Sequence, residues 1–149
     1  MQRQAHPPAI DMATPLRVAD LMETDVETVQ AEELVGEAIS KLADAHVHGL
    51  AVLKEHTRQL VGVLSTTDLL DRLAEVNTPE ERANVLSNTK VRDLMTPNPA
   101  TTTLDEEIRE VAQQMLYLEI HRVFVVEEEE LVGVISQSDI VRAVGTGKL

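Results

Sequence analysis

The sequence predicts a mixed α/β (α+β) protein made of two copies of one strand–helix–strand–strand–helix unit. Three observations carry that prediction. Leu60–Asp68 (LVGVLSTTD) and Leu131–Asp139 (LVGVISQSD) are identical at six of nine positions. Upstream of each lies Val-x-Asp-Leu-Met, at Val18–Met22 and Val91–Met95. Between these landmarks one ungapped offset pairs Val29 with Thr102 and Leu53 with Val126. A repeat of this length makes the chain a tandem of one supersecondary unit, with two related surfaces facing each other.

Val26–Gln30 reads as a first short strand, and Asn98–Thr102 as its counterpart, since a helix is disfavoured beside Pro97 and Pro99. Val35, Ala38, Ile39, Leu42 and Ala45 match Ile108, Val111, Ala112, Met115 and Leu118. Each set forms one face of an amphipathic helix. Thr103-x-x-Glu106 offers a capping box for the second. Leu50–Leu53 and Val123–Val126 are short apolar runs of strand type. Loops 54–59 and 127–130 lead into strands Leu60–Leu64 and Leu131–Ile135. Ser65 and Ser136 then open helices that carry Leu69, Leu70 and Leu73, or Ile140, Val141 and Val144. Between the copies Thr78 caps a further short helix, with Pro79 in its first turn and an end near Ser87-Asn88. This predicts an arm over 1–16, a first repeat over 17–76, a helical linker over 77–90, a second repeat over 91–145 and a tail over 146–149. Neither repeat is large enough to bury its helices and sheet alone, so the two are expected to pack on one another.

Composition narrows the class. The 149 residues are 43% hydrophobic with one Tyr, one Phe and no Trp, so the core is aliphatic. There is no cysteine, which excludes disulfide and thiol chemistry and is compatible with a cytoplasmic setting. No apolar run approaches the roughly 20 residues of a membrane span, and the first residues lack the apolar core of a signal peptide. A soluble protein is expected. The net charge of −13 repels nucleic acid and anionic membranes, and aromatic stacking platforms are missing, so neither is an expected partner. No nucleophile–base set, P-loop or metal-ligand cluster stands out, and an enzyme is not expected.

Val91–Pro97, Glu119–Val126 and Gly133–Asp139, duplicated in part by Gly62–Asp68, closely resemble the cystathionine beta-synthase (CBS) domain in its tandem form, the Bateman module. The resemblance covers about residues 17 to 145. It implies two repeats packed sheet to sheet with pseudo-twofold symmetry, and a regulatory sensor in place of a catalyst. It further implies an adenosine-containing ligand between the repeats, such as AMP, ADP, ATP, S-adenosylmethionine or NADH, with Mg²⁺ as a possible companion. The second-copy site would use Ser136, Ser138 and Asp139, with Val134 beside the base and His121 and Arg122 at the phosphates. Leu50, Ala51 and the strand near Thr24–Val26 would line it. The first-copy site would use Val63, Ser65, Thr67 and Asp68, lined by Val123, Phe124 and Thr101. A carboxylate accepts from vicinal hydroxyls, and a planar guanidinium suits phosphate. Gly49 stands where the second copy has Arg122, so the second-copy site is the expected nucleotide site. Ligand would order the loops around it and change what an effector protein meets. The alternative is a ligand-free dimerisation or protein-interaction module. In it the apolar stripes of the helices after each Ser-x-x-Asp form a self-complementary homodimer contact, as members of the resembled family often do. A divalent-cation sensor on the acidic surface is a further alternative.

Several of these residues read two ways. Ser-x-x-Asp is also a capping box, and the two roles are compatible. Arg122 serves a phosphate or pairs with a carboxylate. His46 and His48 are a sparse metal pair or a polar edge. Glu127–Glu130 is a divalent-cation patch or a solvated hairpin loop.

Overall fold

A computed structural model describes residues 15–147. Most of the expected N-terminal arm and the end of the expected tail lie outside that range. Elements run α1 (Val18–Leu21), β1 (Thr28–Gln30), α2 (Val35–Ala45), β2 (Gly49–Leu53), β3 (Leu60–Ser65), α3 (Thr66–Leu73) and α4 (Pro79–Asn88). They continue with α5 (Val91–Leu94), β4 (Thr96–Pro97), β5 (Thr101–Thr102), α6 (Ile108–Leu118), β6 (Arg122–Glu127), β7 (Glu130–Ser136) and α7 (Gln137–Gly145). The mixed α+β class holds, with two sheets ordered β1-β2-β3-β4 and β5-β6-β7.

The chain packs as two compact units. One holds 25–100 with 128–131; the other holds 15–24, 101–127 and 132–147. These units of packing differ from the repeats of the sequence. In the unit containing the first copy, β1 runs parallel to β2, with Thr28 opposite Ala51, and β2 runs antiparallel to β3. The fourth strand, β4, comes from the segment after the second Val-x-Asp-Leu-Met and sets Pro97 opposite Gly62. Its core gathers Val29, Val35, Ala38, Leu42, Leu50, Val52, Leu64 and Leu69 around Val91 of α5. The other unit repeats the plan. There β5 runs parallel to β6, Glu23 bridges to Val134, and Val18 of α1 is buried among Ile108, Val111, Met115, Val123, Val125 and Ile135. Each short motif helix therefore completes the unit built from the other copy. Leu16, counted with the arm, packs on this second core and accepts the Ile108 N–H at 3.1 Å.

The glycine of each Gly-Val strand makes that exchange possible. A Cβ at Gly62 would stand 2.5 Å from Met95 Sδ, and one at Gly133 would stand 2.8 Å from Met22 Sδ. Only a hydrogen at these positions lets the incoming motif lie flat on the strand.

Element ends vary in how well local sequence accounts for them. Thr78 caps α4 as expected, accepting the Glu81 N–H at 3.1 Å. Thr103 does not cap α6. The helix starts at Ile108, without a side-chain cap, after a turn in which the Thr103 carbonyl accepts the Glu106 N–H. The Glu106 carboxylate is taken instead by the Thr102 hydroxyl. Asn98–Thr102 is likewise shorter than expected, with pairing confined to Thr101–Thr102. Both long helices end on a non-glycine residue in the left-handed region, His46 and Glu119.

Candidate ligand site

Ser136 and Asp139 form a closed capping box at the start of α7. Ser136 Oγ accepts the Asp139 N–H at 3.1 Å, and Asp139 Oδ2 accepts the Ser136 N–H at 2.9 Å. Ser65 and Asp68 repeat it at α3 with the same two distances. The capping reading is therefore correct for both copies, and it aims each carboxylate. One oxygen is spent on the cap, and the other is available to a second donor.

That second donor differs between copies. Asp139, only 6% exposed at its side chain, pairs through Oδ1 with Arg142 at 3.3 Å. Asp68 is half-buried and accepts the Thr96 hydroxyl at 3.2 Å. Beside Asp139 lies a cavity of roughly 190 Å³ lined by Asp20, Leu21, Asp139, Arg142, Ala143 and Thr146. Arg142 and this cavity were not anticipated from sequence. The available signal was the helical i, i+3 spacing from Asp139 to Arg142, at which the first copy carries Asp71.

Of the other predicted residues, His121 and His48 sit directly beside these turns. The His121 carbonyl accepts the Gln137 N–H at 2.9 Å, which seats the start of β6 next to the Ser136 turn. His48 does the same for Thr66 at 3.0 Å. Arg122 is exposed as the first residue of β6, and among the described residues it has no ion pair. Its reading as a carboxylate partner has no support there. Ser138 and Thr67 are exposed in the first turns of α7 and α3. Val134 is buried on β7, one position before the core residue Ile135. Ala51 is buried opposite half-buried Val63 in the β2–β3 register, and Leu50 points into the core.

The two metal readings fare alike. His46 and His48 are both exposed. Glu128 and Glu129 occupy the left-handed turn between β6 and β7. Among the described residues no group of three or more His, Asp or Glu is placed to hold a metal ion. No helix among them is long and apolar enough to cross a membrane.

The model of the CBS domain matches residues 18–75 and 91–146. The chain belongs to the CBS domain family. Among its relatives, the uncharacterized protein YlbB of Bacillus subtilis is 27% identical over 83% of this chain and 79% of its own length. Longer relatives are spanned in part only, 43% in the case of MJ1225 from Methanocaldococcus jannaschii. Among solved structures, the CBS-pair protein CBSX2 from Arabidopsis thaliana is 31% identical, with a TM-score of 0.72 over 91% of this chain and 98% of that one. CBSX2 has also been solved in complex with AMP, at a TM-score of 0.73 to this chain, 28% identity and coverage of 89% and 98%. The CBS domain pair of MJ0100, in complex with 5′-methylthioadenosine and S-adenosyl-L-methionine, is 27% identical. Its TM-score is 0.71 over 91% of this chain and all of that one.

Proposed function

We propose that this CBS domain pair is a regulatory module whose second copy binds an adenosine-containing ligand and passes its presence to an effector protein. The observation that carries the reading is Asp139. It is a buried carboxylate at a helix N-terminus, with one oxygen held by the cap and the other turned to a cavity-lining partner. A ribose diol offers such a group two hydroxyl donors. The N–H groups opening α7 favour an anion nearby, and Arg122 is a free cation among the described residues. The AMP complex of CBSX2 and the adenosyl complex of the MJ0100 pair support the ligand class.

A thermal-shift series against AMP, ADP, ATP, S-adenosylmethionine and NADH, with and without Mg²⁺, tests the proposal. A ligand at a hundred times its Kd stabilises by about 2.7 kcal/mol, a rise of several degrees in Tm. The rise is expected with at least one compound, lost in Asp139→Ala and weakened in Arg122→Ala. Flat melting curves with every compound would refute it. Equal affinity of Asp68→Ala and Asp139→Ala variants would refute the ranking of the two copies.

A second reading, homodimerisation through α3 and α7, rests on the apolar side chains those helices leave bare. Leu70 is 68%, Val141 69% and Val144 58% exposed. A self-complementary contact would cover such a stripe. Light scattering is expected to give twice the chain mass, falling to one chain in Val141→Asp; a monomeric wild type rejects the dimer.

A further inference from the structure

Building on the adenosyl reading, we propose that Arg142 sets the ligand class of the second copy, turning it toward adenosyl compounds that carry a phosphate. Asp139 Oδ1 is the oxygen a ribose hydroxyl would use, and Arg142 already engages it at 3.3 Å. The ion pair is lopsided: the carboxylate is 6% exposed and the guanidinium side chain 66%. Asp139 is held in place by the cap, so the arginine is the partner that moves. Its side chain borders solvent, and swinging it away costs little beyond the bond itself.

The balance after that displacement depends on the ligand. A ribose that takes Oδ1 deprives the guanidinium of its ion-pair partner, and the cavity's other carboxylate, Asp20, already accepts the Arg17 N–H at 2.8 Å. A phosphate on the same ligand restores one, in the bidentate geometry that suits a guanidinium. An adenosyl compound with no anionic group, such as adenosine, breaks the ion pair and returns nothing. The cavity is below the roughly 300–1,000 Å³ of whole small-molecule pockets, so it fits one part of such a ligand and brings that part beside Arg142.

The first copy supplies the contrast. Position 71, equivalent to 142 in the repeat, is an aspartate. Asp68 Oδ1 accepts from the neutral Thr96 hydroxyl at 3.2 Å. A ribose there displaces no ion pair, and the nearby Asp71 opposes a phosphate. One repeated position thus carries opposite charge in the two copies, each beside the same carboxylate.

Calorimetric titration of the full chain with AMP and with adenosine separates the possibilities. Arg142→Ala is expected to bind adenosine more tightly and AMP more weakly, lowering the AMP-to-adenosine affinity ratio about tenfold. Arg142→Lys, a point charge without the planar fork, is expected to fall between. An unchanged ratio in Arg142→Ala, with binding still lost in Asp139→Ala, overturns the role of Arg142 and leaves the adenosyl reading standing. Binding of neither compound to wild type or Arg142→Ala overturns the role of Arg142, and the adenosyl reading falls with it only if the thermal-shift series is flat for every compound.

Discussion

At Gly133 an added methyl group has no room. Its Cβ would stand 2.8 Å from the Glu23 carbonyl oxygen as well as 2.8 Å from Met22 Sδ. Glu23 cannot retreat cheaply, because its N–H and carbonyl are both bonded to Val134 at 2.9 Å. At Gly62 the tightest neighbour is the Met95 thioether, which is flexible, and the Thr96 carbonyl oxygen is 3.0 Å away. Gly133→Ala is therefore expected to cost about 1–3 kcal/mol in urea unfolding, and Gly62→Ala less. Equal stability of Gly133→Ala and wild type would remove this account. The two glycines were legible as repeated residues, but their reason was not. The atoms that exclude a side chain belong to the other copy's motif, and no local pattern records that pairing. Asp139 and Asp68 were legible as both cap and ligand candidates, because Ser-x-x-Asp has a meaning within one helical turn. Arg142 belongs to no motif, and its pairing with Asp139 is visible only once the helix is built.

Among the elements, α2, α6 and the central strands were readable because their apolar periods extend over several turns or pleats. The one-turn helices α1 and α5 are too short to show a period. They hold by bonds to distant loops: Val91 N–H to the Glu33 carbonyl at 2.9 Å and Val18 N–H to the Glu106 carbonyl at 2.9 Å. In the first of these joints Glu32 adds a clamp, meeting Lys90 at 2.8 Å and Arg92 at 2.7 Å. The Lys90 hydrogen bond foremost, with the Arg92 charge, holds the Glu32 carboxyl below its ordinary value. The native state thus releases this proton at lower pH than the unfolded chain does. The clamp's contribution is complete above the ordinary glutamate value and is lost as pH falls through the depressed one. Glu32→Gln is expected to lower Tm at neutral pH, with the gap to wild type closing as the solution is acidified through that window. The group is solvated, so the gap is small and shrinks with salt. A gap independent of pH would point to packing instead.

For the whole molecule, the repeats read from sequence and the units found by packing make different predictions about fragments. Residues 25–100 contain α5 and β4, which complete the first unit. Residues 91–147 contain the entire second repeat but lack Val18 and the Glu23 bridge to Val134. Circular dichroism is expected to show a cooperative melt for fragment 25–100 and none for fragment 91–147. A fragment of the first size remains marginal, so the comparison is between the two at one low temperature. Cooperative folding of 91–147 alone would mean that α1 is dispensable. Two copies in tandem were plain from the repeat itself; the exchange of motifs was not, because it changes no residue within either copy.

That exchange also imposes an order in time. Chains fold as they are made, from the N-terminus onward. α1 leaves the ribosome before the other described elements, yet Ile108, Val123 and Ile135, the residues that receive Val18, are made long after it. The unit over 25–100 has almost all its parts much earlier. During synthesis, then, the first helix must wait unpaired while the middle of the chain settles. It is drawn in only when the last strand and helix arrive.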